Sequence, residues 1–362
     1  MGADAFWRRA AADFAAARRR LLVQAMTFEG DSAGLAVAAA IGASPAQDRR
    51  VLVDAYSRHV ISDRLVHGPA SWFDTDFKSE IHATHDMFRD LSGGGVGVRV
   101  TNPVGPLFVR YPARNHKKLI VADEVAYLGG INFSDHNFAW HDFMLRLEGK
   151  AAADLLAADF QSTWAGAPRA WTAELPNLRL QSLDGRSNAE GFAHLMDLIA
   201  AARRSVTVIS PYLTFPFTGA RAAARARGAT VRLITPWASN KRLVRDYLLW
   251  AAGRAGFEVS LLANMTHLKG LVIDEERLIV GSSNFDFVSL GAEEELVAVI
   301  EDPAVIADFN RLVVAPALAE ALPADGRRSS RVAGMMSGLA LKLAAVLVAL
   351  SRNAPRGAVD WR

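Results

Sequence analysis

The chain has 362 residues, of which 51% are hydrophobic and 22% charged, with 41 Lys and Arg against 38 Asp and Glu. This composition supports a large core in about two domains of roughly 100–200 residues each, and it excludes intrinsic disorder. A net charge of only +3 indicates no basic sheath, so we expect no nucleic-acid partner. The absence of cysteine excludes disulfides, thiolate nucleophiles and thiolate metal ligands.

The hydrophobic pattern shows the same succession of helices and strands twice along the chain. In the first half it predicts alternating helices and strands at residues 10–19, 21–28, 31–41 and 51–54. The second half repeats the alternation at residues 192–203, 206–210, 219–227 and 230–234. Helices that alternate with short apolar strands indicate βαβ units, so the predicted fold class is α/β with mixed, mainly parallel sheets.

Residues 163–187 contain prolines and glycines with little periodicity, which is typical of a linker. We therefore predict two domains, residues 1–175 and 176–325, followed by a tail at 326–362.

The tail contains an apolar run at residues 332–350, with Lys342 at its middle and arginines on both sides. Its length is near what a helix needs to span a bilayer, but a central lysine costs roughly 2.5–3.5 kcal/mol on insertion scales. The run predicts either an in-plane or partly inserted membrane helix, or a helix packed on the protein's own core. The sequence leaves both open.

Two short segments carry the same pattern of chemically active residues. Both read His-x-Lys-x-x-x-x-Asp, and their residues are His116, Lys118 and Asp123, and His267, Lys269 and Asp274. Each is followed by a Gly-Gly or Gly-Ser step and then by an asparagine, Asn132 or Asn284. A doubled match of this kind is far above motif noise and indicates an internal repeat.

Residues two apart in a strand point to the same face, so each segment presents an imidazole beside an ammonium. If the two halves pack about a pseudo-twofold axis, these groups and the two asparagines converge on a volume that suits a phosphate. Lysine and asparagine donors can bind the phosphoryl oxygens while the histidines divide the nucleophile and general-acid roles.

This doubled motif resembles the signature of the phospholipase D superfamily, and the resemblance covers most of residues 18–300. It implies two similar α/β/α halves related by a pseudo-twofold axis. It also implies a double displacement without metal or cofactor, in which His116 attacks phosphorus to form a phosphohistidine and His267 acts as acid and base. The order of the two histidines is less firmly implied than the pair.

The resemblance also implies roles for the residues around the histidines. Lys118, Lys269, Asn132 and Asn284 would hold the phosphoryl oxygens, and Asp142 and Glu295 would orient the histidines. Asp123 and Asp274 end their strands, so we expect them to be motif members with a structural role. The run Glu293–Glu295 predicts a solvated acidic face in which only Glu295 has a position that matches a site residue.

Several segments, among them residues 26–31, 127–132 and 140–142, resemble the bacterial cardiolipin synthase branch. Its implied reaction joins two phosphatidylglycerols into cardiolipin and releases glycerol. Val288 stands where this branch usually has arginine, and His141 where it often has arginine, which leaves the acceptor open. Hydrolysis of lipids to phosphatidic acid and a nuclease of the same superfamily are the alternatives, but a nuclease would need a basic groove.

The implied partners are an anionic phospholipid substrate and a membrane surface, with a monomeric enzyme. Residues 1–20 lack the uninterrupted apolar core of a signal peptide, so no export is predicted. We therefore expect a peripheral enzyme on the cytoplasmic side of a bacterial cytoplasmic membrane, with the C-terminal run as a candidate membrane-inserted helix.

Overall fold

The structure, a computed structural model, describes residues 1–68, 70–105, 108, 110–324 and 330–361. The chain divides into two compact units, Met1–Arg169 with Asn353–Arg362, and Ala170–Arg352. The division precedes the predicted domain boundary because residues in the expected linker form strands. Trp171–Leu175 pairs with Leu178–Asp184 as a hairpin at the edge of the second sheet.

The first unit is a sheet with helices on its faces. Its strands in residues 1–169 are β1 (Arg20–Ala25), β2 (Asp48–Asp54), β3 (Val60–Ile61), β4 (Arg64–Leu65), β5 (Gly97–Thr101), β6 (Leu119–Ala122), β7 (Val125–Gly129) and β8 (Met144–Glu148). Its helices are α1 (Ala3–Ala16), α2 (Ser32–Ala43), α3 (Ala70–Phe73), α4 (Thr75–Gly93), α5 (Asp135–Ala139) and α6 (Lys150–Trp164).

The second unit has the same general construction. Its strands are β9 (Trp171–Leu175), β10 (Leu178–Asp184), β11 (Ser205–Ile209), β12 (Thr230–Pro236), β13 (Glu258–Leu262), β14 (Gly270–Ile273), β15 (Arg277–Gly281), β16 (Glu294–Ile300) and β17 (Leu322–Pro323). Its helices are α7 (Asn188–Ala200), α8 (Phe217–Ala226), α9 (Arg242–Ala255), α10 (Phe287–Gly291), α11 (Pro303–Phe309), α12 (Ala315–Glu320) and α13 (Arg331–Ser351).

Both sheets share one strand pattern. In the first, β5, β2 and β1 are parallel neighbours, and β6, β7 and β8 follow with antiparallel pairing. In the second, β13, β12 and β11 are parallel, and β14, β15 and β16 continue antiparallel. The predicted α/β class with mixed sheets is confirmed. The expectation of mainly parallel sheets is corrected, because the motif strands continue as hairpins rather than through crossover helices.

Each sheet buries its parallel strands against helices. In the first unit, Leu21 and Val23 of β1 belong to a core that includes Phe6 of α1 and Phe88 of α4. In the second unit the corresponding core unites β11 and β12 with side chains of α7, α8 and α9. Alternate residues of a strand face opposite sides, so continuous apolar runs such as β1 and β11 require cover on both faces.

The end of the chain is part of both units rather than a detached tail. Within the described residues, one helix, α13, is long and apolar enough by length and composition to cross a membrane. It packs on α9 and α10 in the second unit. Strand β18 (Ala358–Asp360) then pairs antiparallel with β5, and Trp361 packs against Phe88, with ring centroids 4.2 Å apart. Residues 330–361 of the predicted tail, the part that the structure describes, are therefore packed against both units.

Candidate functional site

The strand order places each motif histidine at the carboxyl edge of the parallel strands in its own sheet. Strand β6 is antiparallel to β1 with Leu119 opposite Gln24, so His116, three residues earlier, lies at the end of β1. Strand β14 is antiparallel to β11 with Gly270 opposite Ile209, which places His267 at the end of β11. The carboxyl edge of parallel strands is where open α/β sheets bind their ligands.

The histidine and lysine of each motif are buried together. His116 and His267 are 4% and 6% exposed, and both lysines are fully buried. Lys118 Nζ donates to the carbonyl oxygen of His116 at 2.8 Å. Lys269 donates to the carbonyl of His267 in the same way, and its Nζ lies 2.7 Å from Nδ1 of that ring. Each unit therefore holds the motif lysine in a fixed position against its motif histidine, and a lysine so held suits the stabilisation of charge on a phosphoryl group.

The two asparagines lie at the same edges as the histidines. Asn132 follows β7 and Asn284 follows β15. The end of each of these strands pairs with the start of the motif strand, β6 or β14. Asn132 Oδ1 accepts the backbone N–H of Thr27 at 3.2 Å. The backbone N–H of Asn284 donates to Ser289 Oγ at 3.3 Å. The bond to Thr27 marks Oδ1 of Asn132 as the acceptor end, so its Nδ2 group is the end suited to donate to an anion.

Asp142 lies just before β8 and explains the Gly-Gly step of the first motif. Its Oδ1 accepts the backbone N–H of Phe143 at 2.8 Å, and the carboxylate packs directly on Gly130. A Cβ at Gly130 would lie 2.3 Å from Asp142 Oδ1, and one at Gly129 would lie 2.3 Å from the carbonyl oxygen of Phe143. Glycine at both positions thus allows the acid to approach the edge that carries His116.

The acidic run Glu293–Glu295 is buried, which corrects the predicted solvated face. Strand β16 begins at Glu294 and pairs with β15 on one edge and β10 on the other, and all of its residues, on both faces, are buried. Charge runs are usually solvated, and no local pattern distinguishes this one as part of an interior strand.

Glu295 and Glu293 share one serine hydroxyl. Ser289 Oγ lies 2.7 Å from Glu295 Oε1 and 3.0 Å from Glu293 Oε2, and the hydroxyl of Ser282 also donates to Glu295. A hydroxyl has one hydrogen to donate, so one carboxyl must carry a proton and donate to Ser289. Burial, and next the negative charge of Glu295, raise the pKa of Glu293 well above its ordinary value, which favours a proton on Glu293.

The motif aspartates lie at the other end of their strands, where they bind backbone amides. Asp123 accepts the N–H groups of residues 18–20 at 2.8–3.0 Å. Asp274 accepts those of residues 203–205, each at 2.7–2.9 Å. Burial alone would raise both pKa values, but the three backbone donors hold the pKa of each aspartate below its ordinary value. Each aspartate thus anchors the start of a parallel strand, β1 or β11.

Three residues near His267 were not identified from the sequence. The Tyr212 ring lies 6.2 Å from the His267 ring, and its hydroxyl bonds the side chain of Asn240. Lys241 Nζ lies 4.3 Å from the centre of the Tyr212 ring. Tyr212 follows β11 and Lys241 follows β12, so attention to the carboxyl ends of parallel strands could have found them.

The first unit has a buried acid in the corresponding region after β1. Glu29 is 2% exposed, and its Oε2 accepts the backbone N–H of Ser62 at 3.2 Å. Burial, together with the negative charges of Glu80 and Asp31, raises the pKa of Glu29 to about 8. Oxygens of these three carboxyls lie within 4.8 Å of one another, a ligand type that hard cations take. At neutral pH, however, the raised pKa makes Glu29 a neutral acid rather than an anionic ligand.

Comparison with known proteins shows similarity to phospholipid enzymes. Residues 195–313 match the family described as "Cardiolipin synthase, PLD-like domain". The minor cardiolipin synthase ClsB of Bacillus subtilis is 30% identical over 60% of this chain, and the chain spans 60% of that relative's length. Cardiolipin synthase B of Escherichia coli is 25% identical over 79% of this chain and 71% of its own length.

Among solved structures, phosphatidylserine synthase from Haemophilus influenzae has the same fold over almost the whole chain. The TM-score is 0.71 at 15% identity, covering 96% of this chain and 93% of that one. The fold therefore agrees over both units, while the matched domain lies in the second unit. Together with the doubled motif, these similarities show that the second unit contains a PLD-like domain whose relatives are cardiolipin synthases.

Proposed function

We propose that this protein is a phosphatidyltransferase that acts on the phosphodiester of membrane phospholipids through a phosphohistidine. The supporting observation is that each unit holds a buried histidine whose motif lysine bonds the histidine's own carbonyl. A double displacement at phosphorus needs one nucleophile and one proton carrier, with fixed cations for the phosphoryl oxygens. The two motifs provide both kinds of group without a metal or cofactor.

The proposed reaction has two steps. A ring nitrogen of His116 attacks the phosphorus of phosphatidylglycerol, and the bond from phosphorus to the glycerol oxygen breaks while His267 gives that oxygen a proton. His267 then takes the proton from a hydroxyl of a second phosphatidylglycerol, whose oxygen attacks phosphorus. The nitrogen–phosphorus bond breaks, cardiolipin leaves, and both histidines return to their starting states.

The surrounding residues have supporting roles in this proposal. Lys118, Lys269, Asn132 and Asn284 bind the non-bridging phosphoryl oxygens. Asp142 and Glu295 hold the imidazoles in the tautomer that the reaction needs and stabilise the positive charge that develops. In this proposal the raised pKa of Glu293 places the proton of the Glu293–Glu295 pair on Glu293.

The choice of a lipid substrate rests on the relatives, whose names describe cardiolipin synthases. We infer that the substrate is an anionic phospholipid, and that the protein works as a monomer at the cytoplasmic surface of a bacterial membrane.

The test is incubation of the purified protein with phosphatidylglycerol vesicles and, separately, with single-stranded DNA, with products identified by mass spectrometry. Cardiolipin and glycerol are expected, and His116→Asn and His267→Asn should each lower the rate by about 10³-fold or more. The control is His82→Asn, which changes an exposed histidine on α4. Phosphatidic acid alone would indicate a hydrolase, and cleaved DNA with intact lipid would reject a lipid substrate. Full activity in either motif variant would contradict the mechanism.

A further inference from the structure

Helix α13 has one face fixed to the second unit. That face carries small residues, and Gly334 and Gly338 allow α9 to approach closely. A Cβ at Gly334 would lie 2.2 Å from the Cβ of Trp250, and one at Gly338 would lie 3.3 Å from Tyr247. The helix is therefore docked on α9 by direct contact and cannot leave it without exposing Trp250 and Tyr247.

The opposite face of α13 is apolar and exposed, and we call it the apolar stripe. It consists of Val332, Met335, Met336, Leu339, Leu343, Val346, Leu347 and Leu350. These residues are each 54–75% exposed and recur at three- and four-residue intervals, so they form one continuous band along the helix. A contiguous apolar band of this length on a protein surface indicates a site of interaction.

The charges that flank the apolar stripe are positive. The sequence has no acidic residue between Asp325 and Asp360, but it has five arginines and Lys342 there. Lys342 is exposed and lies one helical turn from both Leu339 and Val346 of the stripe. A lysine at the edge of an apolar band can extend its ammonium to a polar boundary while its methylene groups stay in the apolar region.

This combination favours an anionic lipid surface over a second copy of the chain. Two copies meeting through the stripe would bring like charges together, whereas anionic headgroups neutralise them. It also favours a helix in the plane of the bilayer over one that crosses it. Crossing would require lipid around the face that packs on α9, while an amphipathic helix with basic flanks lies at the interface.

We infer that the apolar stripe inserts in-plane into an anionic bilayer, while the exposed Lys342 and Arg331 contact lipid phosphates. This inference deepens the proposed function and rests on it, because a lipid substrate is what makes a bilayer the expected partner. The apolar stripe would hold the enzyme on the membrane that contains its substrate.

The absence of cysteine from the chain allows a direct test with single labels. Leu343→Cys carries a polarity-sensitive fluorophore on the stripe, and Leu312→Cys is the control at a similarly exposed leucine of the same unit, at 59% against 63%. Vesicles of equal parts phosphatidylglycerol and phosphatidylcholine should shift the emission of the first label to the blue and leave the second unchanged. An unchanged emission at position 343 would overturn the inference.

A second measurement uses variants without a label. Leu339→Gln with Leu343→Gln should weaken vesicle binding by on the order of 100-fold, because two large apolar side chains no longer enter the bilayer. Leu312→Gln with Leu322→Gln, at equally exposed positions, should bind as the parent chain does. Binding of the stripe variant equal to that of the parent would overturn the inference. So would loss of a dimer in the stripe variant with no change in vesicle binding.

Turnover of a soluble short-chain phosphodiester separates this inference from the proposed function. Both double variants should keep the parent's rate on this substrate, because their substitutions lie on surface leucines. Vesicle binding by the parent without any turnover would refute the proposed function and leave the docking surface supported. Turnover without vesicle binding would refute the docking surface alone.

Discussion

Replacing Glu29 with glutamine removes an ionisation that the first unit makes unfavourable. The carboxyl is buried and accepts the Ser62 N–H, and burial, followed by neighbouring negative charge, raises its pKa to about 8. Glutamine has nearly the same volume and keeps an oxygen for the Ser62 N–H. The substitution therefore changes proton binding while conserving the packing.

The sign of the effect follows from the two pKa values. Glu29 ionises at about 8 in the folded protein and near 4.5 when exposed, so between these values the folded state holds one proton more than the unfolded state. The free energy of unfolding of the parent protein must then fall as the pH rises, by about 1.4 kcal/mol per pH unit. Across the full interval, ionisation of Glu29 lowers the free energy of unfolding by roughly 5 kcal/mol. Glu29→Gln cannot ionise, so it does not lose this stability.

The assay is urea-induced unfolding from about pH 5 to about pH 9 for the parent, Glu29→Gln and the control Glu124→Gln, which changes an exposed carboxylate. The stability of Glu29→Gln relative to the parent should rise with pH toward roughly 5 kcal/mol, while Glu124→Gln stays level with the parent. Parallel curves for Glu29→Gln and the parent would refute the assignment of a neutral buried acid.

Four further substitutions, two of them combined, test the packing around the motifs. Lys117 and Asp159 form a fully buried ion pair at 2.8 Å. Lys117→Met should therefore lower the free energy of unfolding by about 3–5 kcal/mol in the same urea assay, because it leaves a buried charge unpaired. Adding Asp159→Leu should recover most of that loss. Asp274→Ala removes the acceptor of three backbone N–H groups and should lower the free energy of unfolding by roughly 2–4 kcal/mol. The pH profile of turnover should stay unchanged, and a shifted profile would instead give Asp274 a proton-carrying role. Gly130→Ala displaces the Asp142 carboxylate and should lower kcat by about tenfold to 100-fold with an unchanged circular dichroism spectrum, and an unchanged kcat would contradict the contact.

The hydrophobic periodicity was sufficient to predict the α/β class and the repeated order of elements. The helix predicted after Asp31 forms as Ser32–Ala43, and Asp31 caps it by accepting the N–H of Gly34. Strand direction could not be read in the same way, because an apolar run is the same whether it pairs parallel or antiparallel. The deciding feature is the two-residue connection at Asp123 after β6, where a positive φ of 51° makes a tight turn.

Candidate site residues could be named from the sequence where a motif fixes residue types, and they were missed where only tertiary pairing brings residues together. The doubled spacing was enough to identify the histidines, lysines and asparagines as candidates. The burial of Glu294 and Glu295 depends on how β16 packs within the second unit, and the proximity of Lys241 to Tyr212 depends on the neighbouring ends of β11 and β12. Strand β18 likewise forms only because a partner far along the chain is available. Such long-range pairings leave no local signal.

The most direct test of the proposed mechanism is to trap the covalent intermediate. A phosphatidyl ester of p-nitrophenol has a leaving group that needs no proton, so His267→Asn should release p-nitrophenol in a burst and then stall. After an alkaline quench and proteolysis, mass spectrometry should find the phosphatidyl group on His116 of that variant, and His116→Asn should show neither burst nor adduct. A burst from His116→Asn, or p-nitrophenol release by His267→Asn with no adduct on either histidine, would contradict the proposed mechanism.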